Sequence, residues 1–311
     1  MKRIFLLFLF AVSLRAKTID VITHFMDDLF LDYKIIHKAG YQIRVGEIED
    51  YWRGRSPFAE DLQKILVFNP FKNYNDLTYL PKEKLVLFVW EPVQPPAWYY
   101  NAFSRVYTWD DALIDQVKFF KFYYPHMVPM LANLPLFEEK KFCAMIATNI
   151  TFERRKMIEF FETKPDEDFE FYGAPKGDFG KHKNYRGPIP GKHSGPEKIE
   201  VLKNYKFCVC FENCHHLQGY VTEKIFGCFA AGCIPIYWGA PNIDSYVPRD
   251  CYIDYRDFAS KEHLYYYLKM MTKEVYEQYL SRIRTYLKSH KAALFSREYF
   301  EKIICEAASS H

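Results

Sequence analysis

The 311-residue sequence predicts an α/β fold built on parallel strands, and three observations carry that reading. Short apolar runs recur at 65–68, 85–90, 105–109, 142–147, 205–211 and 233–238, many of them rich in aromatic and β-branched residues. Stretches with helical spacing alternate with these runs, at 27–39, 152–161 and 222–231. The chain is also long enough, and at 49% hydrophobic apolar enough, to bury one large or two medium cores.

Taken in order, residues 1–16, MKRIFLLFLFAVSLRA, place two basic residues before an apolar stretch and offer Ala16 as the end of a cleavage site. That is the form of a signal peptide or a short membrane anchor, and it stands outside the fold argument. Residues 17–23 alternate as a first strand, and 27–39 form a helix stopped at Gly40. The runs at 65–68, 85–90 and 105–109 continue the first domain. Residues 126–140, with Pro129 and Pro135, break the pattern and read as an interdomain linker, which divides the chain into 17–136 and 137–311.

The second domain opens with the strand at 142–147 and the helix at 152–161. The glycine- and proline-rich stretch 173–196, with lysines interspersed, reads as a long mobile loop, either a lid or a variable surface segment. The strand at 205–211 ends on Glu212 and Asn213. A helix follows with Thr222 at its N-cap and Gly232 beyond its end, and a further strand at 233–238 closes on Gly239. Three terminal helices, at 261–271, 273–289 and 297–308, complete the chain.

Composition narrows the function. A net charge of only +3 disfavours general nucleic-acid binding, and no internal repeat is visible. Neither G-x-G-x-x-G nor G-x-x-x-x-G-K-[ST] occurs. The 25 Tyr and 28 Phe suit large cores and amphipathic helices, and some could face sugar rings. Eight cysteines do not make a disulfide scaffold at this length, and Cys208, Cys210, Cys214, His215 and His216 match no zinc spacing. Asp166-Glu167-Asp168 has the D-x-D form of metal-dependent sugar transferases but sits in a charged turn, so it reads as a solvated run.

Three places carry candidate chemistry. Glu91 follows the strand at 85–90 directly, where α/β proteins set reactive groups; a loop carboxylate that caps or solvates is the alternative. Trp98, Tyr99 and Tyr100 beyond it face an acceptor or pack the loop down, with nothing in the sequence to separate the two. Arg154 and Arg155 open a helix against its dipole, a local conflict that a bound anion would resolve. Tyr220, Glu223 and Lys224 stand where the helix after 205–211 begins, next to N–H groups suited to a diphosphate.

The string FEN, then YVTEK, IPIYWG and a later VP with a following Phe resembles the donor-binding signature of the α1,3/4-fucosyltransferases. Gly219 departs from the acidic residue that many relatives carry before this Tyr. The resemblance covers about 85–258. It implies a GT-B fold, two Rossmann-like domains facing a cleft, with terminal helices that cross back to the first domain. It also implies inverting, metal-independent transfer of fucose from GDP-fucose to an N-acetyllactosamine-like glycan, with no cofactor.

By the same resemblance Glu91 is the general base and Arg155, with Arg154 as the near alternative, contacts the donor phosphates alongside Lys224. Glu223 holds the ribose, and Asn213 and Tyr220 line the nucleotide pocket. A transferase of another nucleotide sugar and an inactive glycan- or nucleotide-binding relative remain as alternatives. The implied setting is a secretory, Golgi-like lumen or a membrane surface reached through the N-terminus, or else a bacterial cytoplasm or envelope. In a secretory setting the sequon at Asn149, beside the donor site, is expected to stay unused.

Overall fold

The computed structural model describes residues 17–22, 41–46, 62–69, 81–174, 179–191 and 195–309. The N-terminal segment 1–16 and the helix expected at 27–39 lie outside the described residues. The chain divides into two compact units.

Unit 1 comprises Met1–Phe88, Pro96–Ser104 and Cys305–His311. Its strands are β1 (Lys17–Ile22), β2 (Tyr41–Gly46), β3 (Leu62–Phe68) and most of β4 (Leu85–Val89), in the spatial order β2-β1-β3-β4. All of these pairs are parallel. Every residue of β4 is buried, which is why an unbroken apolar run rather than an alternation encodes it.

Unit 2 comprises Val89–Pro95 and Arg105–Ile304. It contains the parallel pair β5 (Arg105–Thr108) and β6 (Phe119–Lys121). Its main sheet holds β7 (Lys141–Ile146), β8 (Glu170–Tyr172), β9 (Tyr205–Phe211), β10 (Ile234–Trp238) and β11 (Ile253–Asp254). Their order is β11-β10-β9-β7-β8, again all parallel. The chain steps from β7 to β8 in one direction and then builds β9, β10 and β11 in the other. The loops leaving β7 and β9 therefore diverge, and this switch point is where open parallel sheets bind ligands.

The helices of unit 2 are α1 (Phe152–Phe161), α2 (Pro196–Leu202), α3 (Glu223–Ala230), α4 (Lys261–Lys269), α5 (Lys273–Leu287), α6 (His290–Ala293) and most of α7 (Arg297–Ser309). No helix among the described residues is long and apolar enough to cross a membrane.

The units do not divide at 136/137. Residues 126–140 belong to unit 2, and both backbone and side-chain groups bond the segment into it. The Met127 N–H donates to Phe295 O (2.9 Å), Leu131 N–H to Ala230 O (2.8 Å), and Lys140 Nζ to Gly232 O (3.0 Å). Gly232 has φ +56°, the left-handed turn expected past α3. The last residues of α7, from Cys305, group with unit 1.

Two surface expectations change. Asp168 is buried and accepts hydrogen bonds from Tyr265 Oη (2.5 Å) and Lys269 Nζ (2.9 Å), so it ties α4 down instead of lying in a solvated run. The stretch after Gly173 also has more structure than its composition suggests. Phe171 N–H donates to Asn184 O and Arg186 N–H to Phe171 O (both 2.9 Å), extending the sheet past β8. Side chains lock this edge: Lys141 Nζ (2.8 Å), Arg186 Nε (2.9 Å) and Tyr205 Oη all donate to the Glu170 carboxylate.

Burial opposes the Glu170 charge, but the bonds from Lys141, Tyr205 and Arg186 outweigh it and bring its pKa down to about 2. A depressed carboxylate stabilises the fold above its unfolded pKa, and that contribution is lost as pH falls toward 2. Glu170→Gln should therefore lower stability at pH 7 by roughly 1–3 kcal/mol and flatten its decline between about pH 5 and 2. Urea melts at several pH values measure this; an unchanged pH slope would overturn it.

Candidate active site

The site is assembled from the segments that leave β7 and β9. Glu212 follows β9 and still pairs with the sheet, its N–H donating to Trp238 O (2.8 Å). Its carboxylate is fully buried and bonded throughout. It accepts from the Thr222 N–H (3.0 Å), from Thr222 Oγ1 (2.9 Å to each oxygen) and from Lys224 Nζ (3.0 Å). Thr222 occupies the N-cap position of α3 as expected, but its hydroxyl makes no cap bond. It bridges Glu212 and Lys224 instead, accepting from Lys224 Nζ at 3.0 Å. A Cβ on Gly239 would overlap the Glu212 side chain and the Tyr237 hydroxyl, so a glycine closes β10 here.

This arrangement keeps Lys224 charged. Burial alone would lower its pKa, yet Glu212 and Glu223 more than reverse that, so the ammonium stays above its ordinary value. Its side chain remains 24% exposed, the opening through which an anion can reach it. Glu223 is half-buried at the first turn of α3. Burial pushes its pKa up, but Lys224, His126 and Lys198 outweigh that and bring it to about 2. It is a carboxylate acceptor at any physiological pH, as holding hydroxyl groups requires.

Arg154 and Arg155 separate cleanly. Arg154 is buried: its Nη1 donates to Asn213 Oδ1 (3.1 Å) and to Asn149 O, and its Nη2 donates to Phe211 O. It thus joins the carboxyl ends of β7 and β9, and it orients Asn213. Arg155 is exposed on the same first turn. The unfavourable charge near the helix N-terminus is met in Arg154 by these strand-end oxygens.

Glu91 is exposed just past β4, with its main-chain oxygen accepting from Trp109 Nε1 (3.2 Å). Its charge reaches Tyr220, whose phenol pKa is raised by burial first and then by Glu212, Glu223 and Glu91. Unit 2 therefore brings Glu91, Asn213, Tyr220, Glu223 and Lys224 into one neighbourhood. Tyr220, expected to line the nucleotide pocket, is 3% exposed, its ring packed edge-on against Trp109 (5.2 Å) and Tyr124 (5.9 Å). Of the aromatic trio after Glu91, Trp98 is exposed while Tyr99 and Tyr100 are buried in unit 1.

Sequence reasoning missed three contributors. Glu212 carried the same signal that marked Glu91, a carboxylate directly after a buried strand. His126, half-buried, and Lys198, on α2, act electrostatically on Glu223, and nothing local in the sequence announces either. The Cys/His string does not converge: Cys208 and Cys210 point into the core, while His215 and His216 are exposed, His215 stacking on Trp238 at 4.2 Å.

Residues 139–310 match the family model described as glycosyltransferase family 10 (fucosyltransferase) C-term. Among curated proteins, the chain is 27% identical over 147 residues to 4-galactosyl-N-acetylglucosaminide 3-alpha-L-fucosyltransferase 9 of Mus musculus, covering 47% of this chain. It is 28% identical over 179 residues to an alpha-(1,3)-fucosyltransferase of Helicobacter pylori, covering 54% of this chain. Each match spans only 36% of the relative's own length.

A crystal structure of an alpha1,3-fucosyltransferase with GDP superimposes with a TM-score of 0.61 at 17% identity, over 96% of this chain and 92% of that one. An alpha-glucosyltransferase bound to UDP and DNA gives 0.61 at 11% identity, over 92% and 99%. These likenesses show the fold, the two-domain α/β class of glycosyltransferases called GT-B.

Proposed function

Because the chain belongs to glycosyltransferase family 10, the fucosyltransferases, we propose that it moves L-fucose from GDP-fucose to a hydroxyl of an N-acetylglucosamine-containing glycan, as an α1,3-fucosyltransferase. The observation that carries the reading is Lys224. It is held protonated by Glu212 at the start of α3, inside the matched region and at the switch point of the sheet.

In the proposed reaction Glu91 takes the proton of the acceptor hydroxyl. The acceptor oxygen forms a bond to the anomeric carbon as the bond to the GDP oxygen breaks, with inversion. The electron pair leaves on the diphosphate, where Lys224, the exposed Arg155 and the first N–H groups of α3 meet it. Fixed cations supply the charge that a divalent metal supplies in D-x-D enzymes, which supports metal-independent turnover with no cofactor. Glu223 accepts from the ribose hydroxyls, and Asn213, oriented by Arg154, contacts the nucleotide. The basic and apolar residues 1–16 support work in a secretory lumen or at a membrane, with a bacterial cytoplasm or envelope as the alternative.

The test is nucleotide release from a panel of GDP- and UDP-sugars with N-acetyllactosamine as acceptor, in EDTA. Acceptor-dependent release from GDP-fucose alone is the expected result. Release from another donor, or release that requires added Mn²⁺, would overturn the donor or the metal-free mechanism respectively. Donor binding without release from any acceptor would point to an inactive relative.

A further inference from the structure

We infer that the turn Trp109-Asp110-Asp111, anchored by Lys121, is a positioning element that fixes the segment carrying Glu91 against the segment leading into Tyr220 and Lys224. The inference rests on the transferase reading for its effect on turnover, although its structural content stands apart from it. Each residue of the turn grips one or both sides. Trp109 donates from Nε1 to Glu91 O (3.2 Å), and its ring packs on Tyr220. Asp110 is buried, and its carboxylate accepts from the Gln94 side chain through one oxygen and from the Ala112 N–H (3.0 Å) through the other. The Asp111 N–H approaches Gln218 O (3.4 Å).

The Asp111 carboxylate is the centre of the donor side. It accepts from Lys121 Nζ (2.7 Å), Asn242 Nδ2 (2.7 Å) and Tyr246 Oη (2.5 Å). Asn242 turns its other atom to the loop, Oδ1 accepting the Gly219 N–H at 2.9 Å. Lys121 Nζ also donates to Trp109 O (2.6 Å) and to Tyr246 Oη (2.7 Å), and so closes the ring. Burial opposes the Asp111 charge, and the bonds from Lys121, Tyr246 and Asn242 outweigh it. Gly219 sits in this ring with φ +82°, and a Cβ there would collide with Trp109 O, Lys121 Nζ and Asp111 Oδ1. That contact accounts for a glycine in front of Tyr220: the turn occupies the space a side chain would need.

The bonds and ring contacts of the turn reach Glu91 and Tyr220, and through these two the element acts on turnover. A displacement of about 1 Å between reacting groups can cost on the order of 10²-fold in rate. Cutting the donor side with Asp111→Ala, or the acceptor side with Gln94→Ala, should therefore lower kcat by about 10- to 100-fold. GDP affinity should stay within about threefold, because Lys224 and Glu212 are untouched.

The readout that a merely local role would not move is amide exchange across the turn. Asp111→Ala should speed exchange in 89–95, and Gln94→Ala should speed it in 217–220, each by about tenfold. Exchange that changes only beside the substituted residue, or an unchanged kcat with unchanged exchange, would overturn the proposal. If Asp111→Ala does not fold, exposed Gln94 carries the same test. Wild type that turns over no donor, while both cross-effects appear, would sink the transferase reading and leave the positioning element standing.

Discussion

Lys224→Ala is expected to lose on the order of 10²- to 10³-fold in the rate of GDP release, the loss usual when one fixed charge-stabilising group is removed. The expectation comes from where the charge goes. As the sugar departs, negative charge gathers on the diphosphate, and Lys224 is the cation that Glu212 and Thr222 hold at the start of α3. The substitution also leaves the Glu212 carboxylate buried with the two donors of Thr222 and no cation, which can cost roughly 3–5 kcal/mol of stability. A double variant, Lys224→Met with Glu212→Gln, removes both charges and separates the two effects. It should regain most of the stability and none of the rate. Thermal melts and GDP release on the same samples decide: a double variant with near-native turnover would show that Lys224 serves the fold alone.

The dual use of Lys224 explains what could be read from the sequence and what could not. The fold was legible because a parallel sheet buries both faces of its strands, so β4 and β10 appear as unbroken apolar runs and β9 as one interrupted only at Lys206. The three-residue strands β6 and β8 carry too little sequence for any period, and β8 gains its outer partner through backbone N–H and C=O groups that leave no side-chain signature. Within the site, Asn213, Tyr220, Glu223 and Lys224 were legible because they lie in one contiguous segment. Successive helical residues point about 100° apart, so only one of Arg154 and Arg155 can face the sheet, and the docking of α1 decides which. His126 and Lys198 come to Glu223 only through tertiary folding. The sequence around His126, broken by Pro129 and Pro135, gives the form of a linker, and only its backbone bonds to Phe295 and Ala230 reveal that it is part of unit 2.

Glu91→Gln is expected to cost 10²- to 10⁴-fold in kcat with acceptor, the range for loss of a positioned general base. The side chain is exposed, so the substitution leaves no buried vacancy and should change stability by less than about 0.5 kcal/mol. Its segment is held through the main chain, by the Trp109 bond to Glu91 O, and this bond survives in the variant. Donor affinity should hold too, because the bonds that hold Lys224 to Glu212 and Thr222, and Arg154 to Asn213 and Phe211, are all kept in the variant. The distinguishing signature is selectivity among acceptors. An amide cannot accept the proton, so a more acidic acceptor hydroxyl should recover part of the lost rate in the variant and gain far less in wild type. Turnover within tenfold of wild type at every acceptor pKa would remove Glu91 from the role. The proton would then have to pass to another group, and Glu223, a partly exposed carboxylate that also acts on Tyr220, is a poor base at a pKa of about 2.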